Sequence, residues 1–389
     1  MSTYTITDLG HFAIGGINAG SIIAMGTGSG SWRFILRDNV LQQLHPLPDY
    51  SHALLTGIND LREACGYSFY PRPTACYWDQ SGVAHALPSG DHRQTVATAI
   101  NNARTMVGHG DSGTNPLKWA NGALSELSLP PNVYPYGWIP ADINADGEII
   151  GNFDSEWPDR PAAYWDPLGV PQLVRAPSGY SGVRVAAIND ASLIVGGVST
   201  GEWHAPYTPC LWRFLHPSPL PLPNNALSGF ASDINDHGLV VGRVDFANGR
   251  RAHAWLGDTL LDLNAMIDPD WGWTLIHAEN VNNLGHIVGY GVRAGFNGER
   301  AWLMRPDHSL VSDFDLLAEV LVASFGQRMQ GGGVIVGPQG PVSVPPWTPL
   351  LERVPIPYRK FFSAVLGPDV GRGGDDGDCG ETKPRGGGS

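Results

Sequence analysis

The feature of this sequence that most constrains its fold is a short unit that occurs seven times. Each copy contains an asparagine at the end of an apolar segment, and the copies are 41 to 47 residues apart. The repeat asparagines are Asn18, Asn59, Asn101, Asn144, Asn189, Asn235 and Asn282. In the last six copies a glycine follows seven residues after the asparagine, whereas the first copy is interpreted as one residue shorter and ends at Ala24. A fixed period of this length indicates a repeat architecture.

Each unit predicts four antiparallel strands. The pattern Asn-x-x-Gly, as in Asn144 to Gly147, is typical of a turn, because asparagine caps the turn and glycine adopts positive φ. The apolar segments on either side therefore form a hairpin, and an aromatic strand, a second turn and a fourth strand follow. The aromatic strands contain Trp78, Trp119, Trp165, Trp212, Trp255 and Trp302, and WRF at 32–34 is assigned to this place in the first copy.

Seven such units predict an all-β fold, a seven-bladed β-propeller of four-stranded antiparallel blades. One blade cannot bury both of its faces alone, but each face is covered when the blades stand in a ring. The residues just before the repeat asparagines are small in six copies, as in Gly15-Gly16 and Thr56-Gly57, which suits inner strands crowded around an axis. The glycine after each hairpin indicates close backbone packing or a bulge.

The ring also has to be closed, and the chain divides into three predicted regions. Residues 1–308 form the propeller, and the strand at 4–9 is expected to complete the last blade and remove a free sheet edge, in preference to 308–314. Residues 309–366 are predicted to form a helix, over 313–327, and an extended segment packed on the propeller. Residues 367–389 are rich in glycine and charge and are predicted to be disordered.

Composition limits the partners of the protein. The net charge of −13 argues against a nucleic-acid surface, which needs a basic patch. No apolar run approaches the roughly 18 residues of a membrane span, and no secretory signal is visible, which favours the cytoplasm. We expect a monomer. Cys65 and Cys76 flank a YPRP turn and are expected to face each other across a hairpin, as buried thiols rather than as a disulfide.

The repeat resembles the HAF-type extracellular repeat, whose units read roughly A-x-x-I-N-x-x-G-x-I-V-G followed by an aromatic strand. The last copy, GWTLIHAENVNNLGHIVGYG with ERAWLMRP, is particularly similar to it. The strand order is also similar to that of kelch repeats. The resemblance covers residues 4 to about 306 and implies a propeller, but no activity. It also implies an exported protein, whereas no secretory signal is visible at the N terminus.

Functional residues are expected on one face of the propeller. The loops between the second and third strands, and those between blades, are long and emerge together, and such loops on a rigid frame usually carry function. The candidate ligand-binding residues are Asp111, Trp138, Trp157, Arg160, Glu202, Trp203, Arg243 and Tyr290. The candidate catalytic residues are His109, Glu156 and His204.

A second group is expected at the mouth of the central channel. Asp142, Asp233, Glu279 and Asn280 could hold a structural or catalytic divalent cation there, although hydrogen bonds to water or to adjacent strands are the favoured interpretation. No other cofactor is predicted.

Three functions remain open. The leading hypothesis is a module that binds a small molecule or a protein on the long-loop face, over the central channel. The first alternative is a hydrolase or lyase that uses acid/base or metal-assisted chemistry on the same face. The second is a carbohydrate-binding lectin that uses Trp157 and Trp203, each of which follows a glutamate. No nucleophile elbow, phosphate-binding loop, HExxH or dinucleotide motif occurs, which is weak evidence in a repeat fold.

Overall fold

A computed structural model describes residues 4–27, 33–37, 40–111, 116–134, 137–153, 161–201, 205–307, 335–337 and 340–342. Residues 335–337 and 340–342 pair as a short hairpin, β29 (Ile335–Gly337) and β30 (Gly340–Val342), within the predicted extended segment. The predicted helix over 313–327 and the tail 367–389 lie outside the described residues. Among the described residues, no helix is long and apolar enough to cross a membrane.

Seven four-stranded antiparallel sheets form the ring, as predicted. Blade 1 consists of β2 (Ala13–Ile17), β3 (Ile23–Gly26), β4 (Arg33–Arg37) and β5 (Val40–Gln43). Blade 2 consists of β6 (His52–Ile58), β7 (Ala64–Phe69), β8 (Thr74–Trp78) and β9 (Ala84–Ala86). Blade 3 consists of β10 (Val96–Ile100), β11 (Met106–His109), β12 (Pro116–Ala120) and β13 (Ala123–Glu126). Blade 4 consists of β14 (Trp138–Ile143), β15 (Ile149–Phe153), β16 (Ala162–Trp165) and β17 (Pro171–Val174). Blade 5 consists of β18 (Gly182–Ile188), β19 (Leu193–Ser199), β20 (Thr208–Arg213) and β21 (His216–Pro219). Blade 6 consists of β22 (Ala226–Ile234), β23 (Leu239–Phe246), β24 (Gly249–Leu256) and β25 (Thr259–Asp262), and two 3-10 turns, Leu263–Met266 and Pro269–Trp271, follow it. The first strand of each blade is innermost.

The N-terminal strand closes the ring. Blade 7 consists of β26 (Trp273–Val281), β27 (Ile287–Arg293), β28 (Arg300–Pro306) and, outermost, β1 (Tyr4–Gly10). β1 runs antiparallel to β28 from the pair Tyr4 and Pro306 to the pair Gly10 and Ala301. The prediction that the strand at 4–9 completes the last blade is therefore confirmed, and it takes the place considered for 308–314.

The seven repeat asparagines form a closed circle of hydrogen bonds. Each is buried and donates from its side-chain Nδ2 to the backbone carbonyl of the repeat asparagine in the next blade, at 3.0–3.1 Å. Asn282 donates to Asn18 and completes the circle. Each Oδ1 also accepts the backbone N–H four residues later, which closes the turn within its own blade. One residue type thus shapes every inner turn and joins every pair of blades.

A β-bulge precedes every one of these asparagines by three residues. The register between the first and second strands shifts at Gly15, Thr56, Thr98, Ala141, Ala186, Ser232 and Glu279. The glycine seven residues after the asparagine faces this bulge, and a Cβ there would lie 1.9–2.1 Å from a backbone carbonyl oxygen in five of the blades, as at Gly108 and Gly242. The sequence expectation of close backbone packing at these glycines is confirmed.

Blade 1 departs from this pattern in a different way from that expected. Gly16 pairs with Ala24 and Ile14 with Met25, which is the register of the other blades, so the first copy is not one residue shorter. Met25 stands where the other blades have glycine. The bulge of blade 1 is made by Gly15 and Gly16, and Gly16 has φ of 141°, a conformation that is open to glycine alone. The backbone of the blade 1 bulge therefore differs from that of the other blades, and the side chain of Met25 fits opposite it.

The tryptophan of the third strand is a core anchor in five blades. In blades 2 to 6 it is buried, and its Nε1 donates to a backbone carbonyl of the chain segment that precedes its blade, at 2.6–2.8 Å. In blade 1 the third strand begins at Arg33, within the WRF segment assigned to it, and the position equivalent to the tryptophan is held by Leu36. In blade 7 it is held by Met304. Trp302 faces Gly289 instead, and its Nε1 finds no hydrogen-bond partner among the described residues.

Cys65 and Cys76 do not face each other. Cys65 pairs with Tyr77 and Cys76 with Gly66, so the register differs by one residue and the two thiols point to opposite faces of blade 2. Both are free and buried, and burial raises the pKa of each thiol to about 12. The expectation of buried thiols is confirmed, and that of opposed positions was wrong.

Candidate functional site

Two of the hollows formed by the described residues are lined by the inner strands of the propeller. The central channel, of about 310 Å³, runs from the bulges to the asparagine turns and is lined by all seven inner strands. A cavity of about 480 Å³ lies at the other end of the inner strands of blades 4 to 7, on the long-loop face. We call this the long-loop cavity; its lining residues are Ala141, Asn152, Arg184, Val185, Ala186, Tyr207, Phe230, Ser232, Arg243, His277 and Glu279.

The channel carboxylates Asp142 and Asp233 join neighbouring blades. Asp142 accepts the N–H of Ile143 at 2.8 Å and that of Ile188, in blade 5, at 2.9 Å. Asp233 accepts equivalent N–H groups in blades 6 and 7, both at 2.8 Å. These contacts agree with the favoured interpretation, hydrogen bonds to adjacent strands. No group of three histidine, cysteine or acidic residues is placed to hold a metal ion among the residues that the structure describes.

These two carboxylates are expected to make stability depend on pH. Burial raises the pKa of Asp142 to about 6 and that of Asp233 to about 7, and the backbone donors offset only part of this. The native state therefore holds these protons more tightly than the unfolded chain, whose carboxyls titrate near pH 4. The stability they contribute is complete at and below about pH 4 and is lost as pH rises toward 7. The melting temperature of the wild type should therefore fall between pH 5 and 8. In D142N/D233N we expect this fall to be about 3 °C smaller.

The matched control for this measurement is D146N, which removes an exposed carboxyl from the turn that follows Asp142. Its melting temperature should follow the wild-type pH profile. Parallel profiles for wild type and D142N/D233N would contradict the assignment of the raised pKa values.

The long-loop cavity is built from three positions of the repeat. Arg184, Phe230 and His277 each lie five residues before a repeat asparagine, in three successive blades. Ala141, Ala186, Ser232 and Glu279 are the bulge residues, three before it, and Asn152 and Arg243 lie eight after it. Because bulges re-aim side chains, these positions converge at the axis end of the inner strands. The rings of Tyr207 and Phe230, with centroids 5.6 Å apart, form an aromatic wall, and a Cβ at Gly197 would collide with both of them.

Two guanidinium groups give the long-loop cavity a positive side. Arg184 is exposed and has no ion pair with any described residue. Arg243 lies with its guanidinium carbon 5.7 Å from the centroid of Phe230, and its Nε is 3.5 Å from Asp245 Oδ1. Both of these atoms are buried and without a hydrogen-bond partner. These two atoms therefore form an ion pair without hydrogen-bond geometry, and the exposed Arg184 carries the positive charge of the cavity that no described acidic side chain pairs.

Ser232, His277 and Glu279 form a hydrogen-bonded line on the same wall. Ser232 Oγ lies 2.8 Å from His277 Nε2, and His277 Nδ1 lies 3.0 Å from Glu279 Oε1. A carboxylate can only accept, so Nδ1 carries a proton and donates to Glu279, which leaves Nε2 of the neutral imidazole to accept from the Ser232 hydroxyl. The contact also spans blades, since Ser232 belongs to blade 6 and the other two residues to blade 7.

Of the predicted ligand-binding and catalytic residues that the structure describes, only Arg243 lines the long-loop cavity; Glu279, expected at the channel mouth, lines it too. Trp138 is 1% exposed in the core, with its Nε1 donating to Tyr134 O, so it is closed to a ligand. The hydroxyl of Tyr290 accepts the N–H of Ile14 at 2.6 Å and joins blade 7 to blade 1. Asp111 accepts the Arg93 N–H at 2.8 Å and shapes its loop, and His109 is half-buried in blade 3 with Nδ1 3.1 Å from Gly110 O.

The remaining predicted residues lie outside the described part of the chain. They are Glu156, Trp157, Arg160, Glu202, Trp203 and His204. The paired Glu-Trp loops, and the lectin hypothesis that depends on them, therefore stay predictions.

Sequence reasoning missed the serine and the histidine, and it assigned Glu279 to the channel mouth. Ser232 was interpreted only as a small residue near the axis. A signal was nevertheless available: aligning the seven copies on their asparagines places Arg184 in blade 5 and His277 in blade 7 at the position where blades 2 to 4 carry Leu54, Val96 and Ile139. Polar residues that replace aliphatic ones at a shared position of a repeat indicate a site.

Comparison with known proteins gives the fold and no family. No protein-family model matches the chain, and no curated protein shows significant similarity to it. Solved structures with a similar fold include selenomethionine-substituted virginiamycin B lyase from Staphylococcus aureus (9% identity, 78% of this chain and 100% of that chain, TM-score 0.51). They also include YCF48 bound to D1 peptide (9%, 79% and 96%, TM-score 0.49) and the WD40 repeats of RRP9 (12%, 78% and 98%, TM-score 0.48). At 9% identity, the match to the lyase shows the propeller fold alone.

Proposed function

We propose that the long-loop cavity binds a small anionic molecule that carries a planar group. The observation that supports this most directly is the pair Arg184 and Arg243 in one cavity of a protein whose net charge is −13. The volume of about 480 Å³ is that of a small-molecule site rather than of a protein interface. This proposal gives a specific form to the hypothesis of a binding module on the long-loop face.

The chemistry of the walls defines the ligand class. A guanidinium is a planar fork of donors that suits carboxylate and phosphate groups, and Arg184 and Arg243 both line the cavity. The Tyr207 and Phe230 rings offer an apolar surface beside it. A ligand with a carboxylate at one end and a flat apolar body therefore satisfies both walls. We further propose that the repeats are diverged HAF-type units, which the pattern Ile-Asn-x-x-Gly in blades 4 and 6 supports.

The test is calorimetric titration with 4-hydroxybenzoate and with its neutral amide. We expect the acid to bind and the amide to bind at least about tenfold more weakly, because only the acid pairs with the guanidinium groups. R243M keeps the apolar stem of Arg243 and should weaken binding of the acid by about tenfold or more.

The control variant is R250A. Arg250 contacts the same carboxylate, Asp245, at 3.3 Å, but its side chain is 61% exposed and does not line the long-loop cavity, whereas that of Arg243 is 24% exposed. R250A should bind the acid as the wild type does. Equal affinity for acid and amide, or equal losses in R243M and R250A, would refute the proposal.

A further inference from the structure

We infer that Ser232, His277 and Glu279 make the long-loop cavity an acyl-transfer site, with Ser232 as nucleophile, that hydrolyses small carboxylic esters. The substrate class, an ester that carries an anionic group, rests on the proposed function; the nucleophile itself does not. The inference begins with geometry: the serine-to-histidine and histidine-to-glutamate contacts of 2.8 and 3.0 Å are those of a nucleophile, a base and an orienting group.

The backbone holds the three groups in place. Ser232 and Glu279 are both bulge residues, and the bulge places the Glu279 carboxylate 3.0 Å from the imidazole of His277, two residues earlier on β26. The inner strands of blades 6 and 7 are fixed to each other by the Asn235 to Asn282 hydrogen bond at one end. The serine hydroxyl and the imidazole therefore meet through rigid elements and not through loops.

The surroundings of the serine supply the other needs of the reaction. Ser232 is half-buried and lines the long-loop cavity. Arg184 and Arg243 line the same cavity and are the positive groups available to stabilise an oxyanion. The other bulge hydroxyls differ, because Thr56 donates to Ala97 O and Thr98 to Val107 O.

The reaction is ordinary ester hydrolysis in two halves. The Ser232 oxygen attacks the carbonyl carbon of the ester while its proton moves to His277 Nε2, and Glu279 stabilises the imidazolium. The bond to the leaving alcohol breaks as Nε2 returns that proton to it, which leaves an acyl group on Ser232. Water then attacks the acyl carbon, gives a proton to Nε2 and releases the acid, and the proton returns to Ser232. One ester and one water give one acid and one alcohol.

Two probes that lack an anionic group test the nucleophile independently of anion binding. The first is a fluorophosphonate, followed by intact mass and peptide mapping, and the second is p-nitrophenyl acetate, followed as release of p-nitrophenol. We expect one adduct per chain, on Ser232, and an esterase activity that S232A lowers by about 100-fold or more.

S232A is expected to fold, because Ala141 and Ala186 occupy the same bulge position in blades 4 and 5. T98A is the matched control, since it removes the bulge hydroxyl of blade 3, which contacts a carbonyl and no histidine. T98A should keep the full activity and the full labelling of the wild type. H277A should lose both.

Glu279 is a positioning residue, because it acts through His277. Its test therefore includes the pH dependence of the esterase rate, which a purely structural residue would not change. E279Q should lower the esterase rate by about tenfold or more and move the acidic limb of the pH–rate profile to lower pH, because the imidazolium loses its carboxylate partner. E279D should restore part of the rate.

The outcomes separate this inference from the proposed function. No adduct on Ser232, or equal esterase rates in S232A and wild type, overturns the acyl-transfer site even when 4-hydroxybenzoate binds. Labelling of Ser232 without binding of 4-hydroxybenzoate supports the nucleophile and refutes the anion site.

Discussion

Replacing Gly108 with alanine is expected to lower the free energy of unfolding by about 3 kcal/mol or more. A Cβ at Gly108 would lie 1.9 Å from the carbonyl oxygen of Val96 and 2.9 Å from Ala97 Cα, both of them backbone atoms at the bulge of blade 3. Neither can move as the end of a side chain can, so the bulge itself must be displaced, and with it the hairpin that holds Asn101. Urea denaturation monitored by tryptophan fluorescence gives the change.

G20A is the control for this substitution. Gly20 is exposed, lies outside the positive-φ region, and a Cβ there would stand 3.4 Å from Asn18 Oδ1, an ordinary contact. Its effect should stay within about 0.5 kcal/mol. Met25 shows that this place can hold a side chain where the bulge is built from two glycines. A stable G108A would mean that the other bulges relax as easily as that of blade 1.

Replacing Asp8 with alanine is expected to cost on the order of 2 kcal/mol, because it leaves two arginines without their anion. Asp8 lies on β1, accepts from Arg300 at 2.9 and 3.0 Å and from Arg293 at 3.0 Å, and ties the N-terminal strand to blade 7. The side chains of Asp8 and Arg300 are only 17% and 14% exposed, so water replaces the lost contacts poorly. Urea denaturation at pH 7 measures the loss.

The same variant should be less sensitive to acid than the wild type. Burial alone would raise the pKa of Asp8, but hydrogen bonds from Arg300, the Gly10 N–H and Arg293 outweigh it and lower the pKa. The stability that Asp8 contributes is therefore present above about pH 4 and is lost as pH falls through its lowered pKa. The gap between wild type and D8A should narrow from pH 7 to pH 3. T5A, at an exposed position of the same strand, should match the wild type at both values, and equal effects of D8A and T5A would contradict the role of Asp8.

The fold could be predicted because the repeat marks its backbone constraints with particular residue types. A side-chain amide is needed to close each inner turn, and the absence of a Cβ is needed opposite most bulges, so asparagine and glycine stay in phase along the chain. The third-strand aromatic was a less reliable marker. Trp302 occurs in the same local pattern as Trp255, yet it stands two positions away in the register.

The candidate site could be predicted only as a face. Arg243 was expected there, but the meeting of Ser232 with His277 depends on two inner strands 45 residues apart and on bulges that turn both side chains toward one cavity. A single unit contains no trace of that meeting. Trp138 and Tyr290 show the converse, because burial and contacts between blades also use aromatic residues of the kind that bind ligands.

The polypeptide has two ends, but its circle of asparagine amides has none. Cutting the chain between two blades and joining the old ends would remove no member of that circle, whereas losing one whole blade would leave an amide donor and a carbonyl acceptor without their partners. The hydrogen-bonded circle is therefore expected to tolerate circular permutation but not the deletion of a blade. The ring has seven blades because the side-chain amide of Asn282, in the last blade, has to reach the backbone carbonyl of Asn18, in the first.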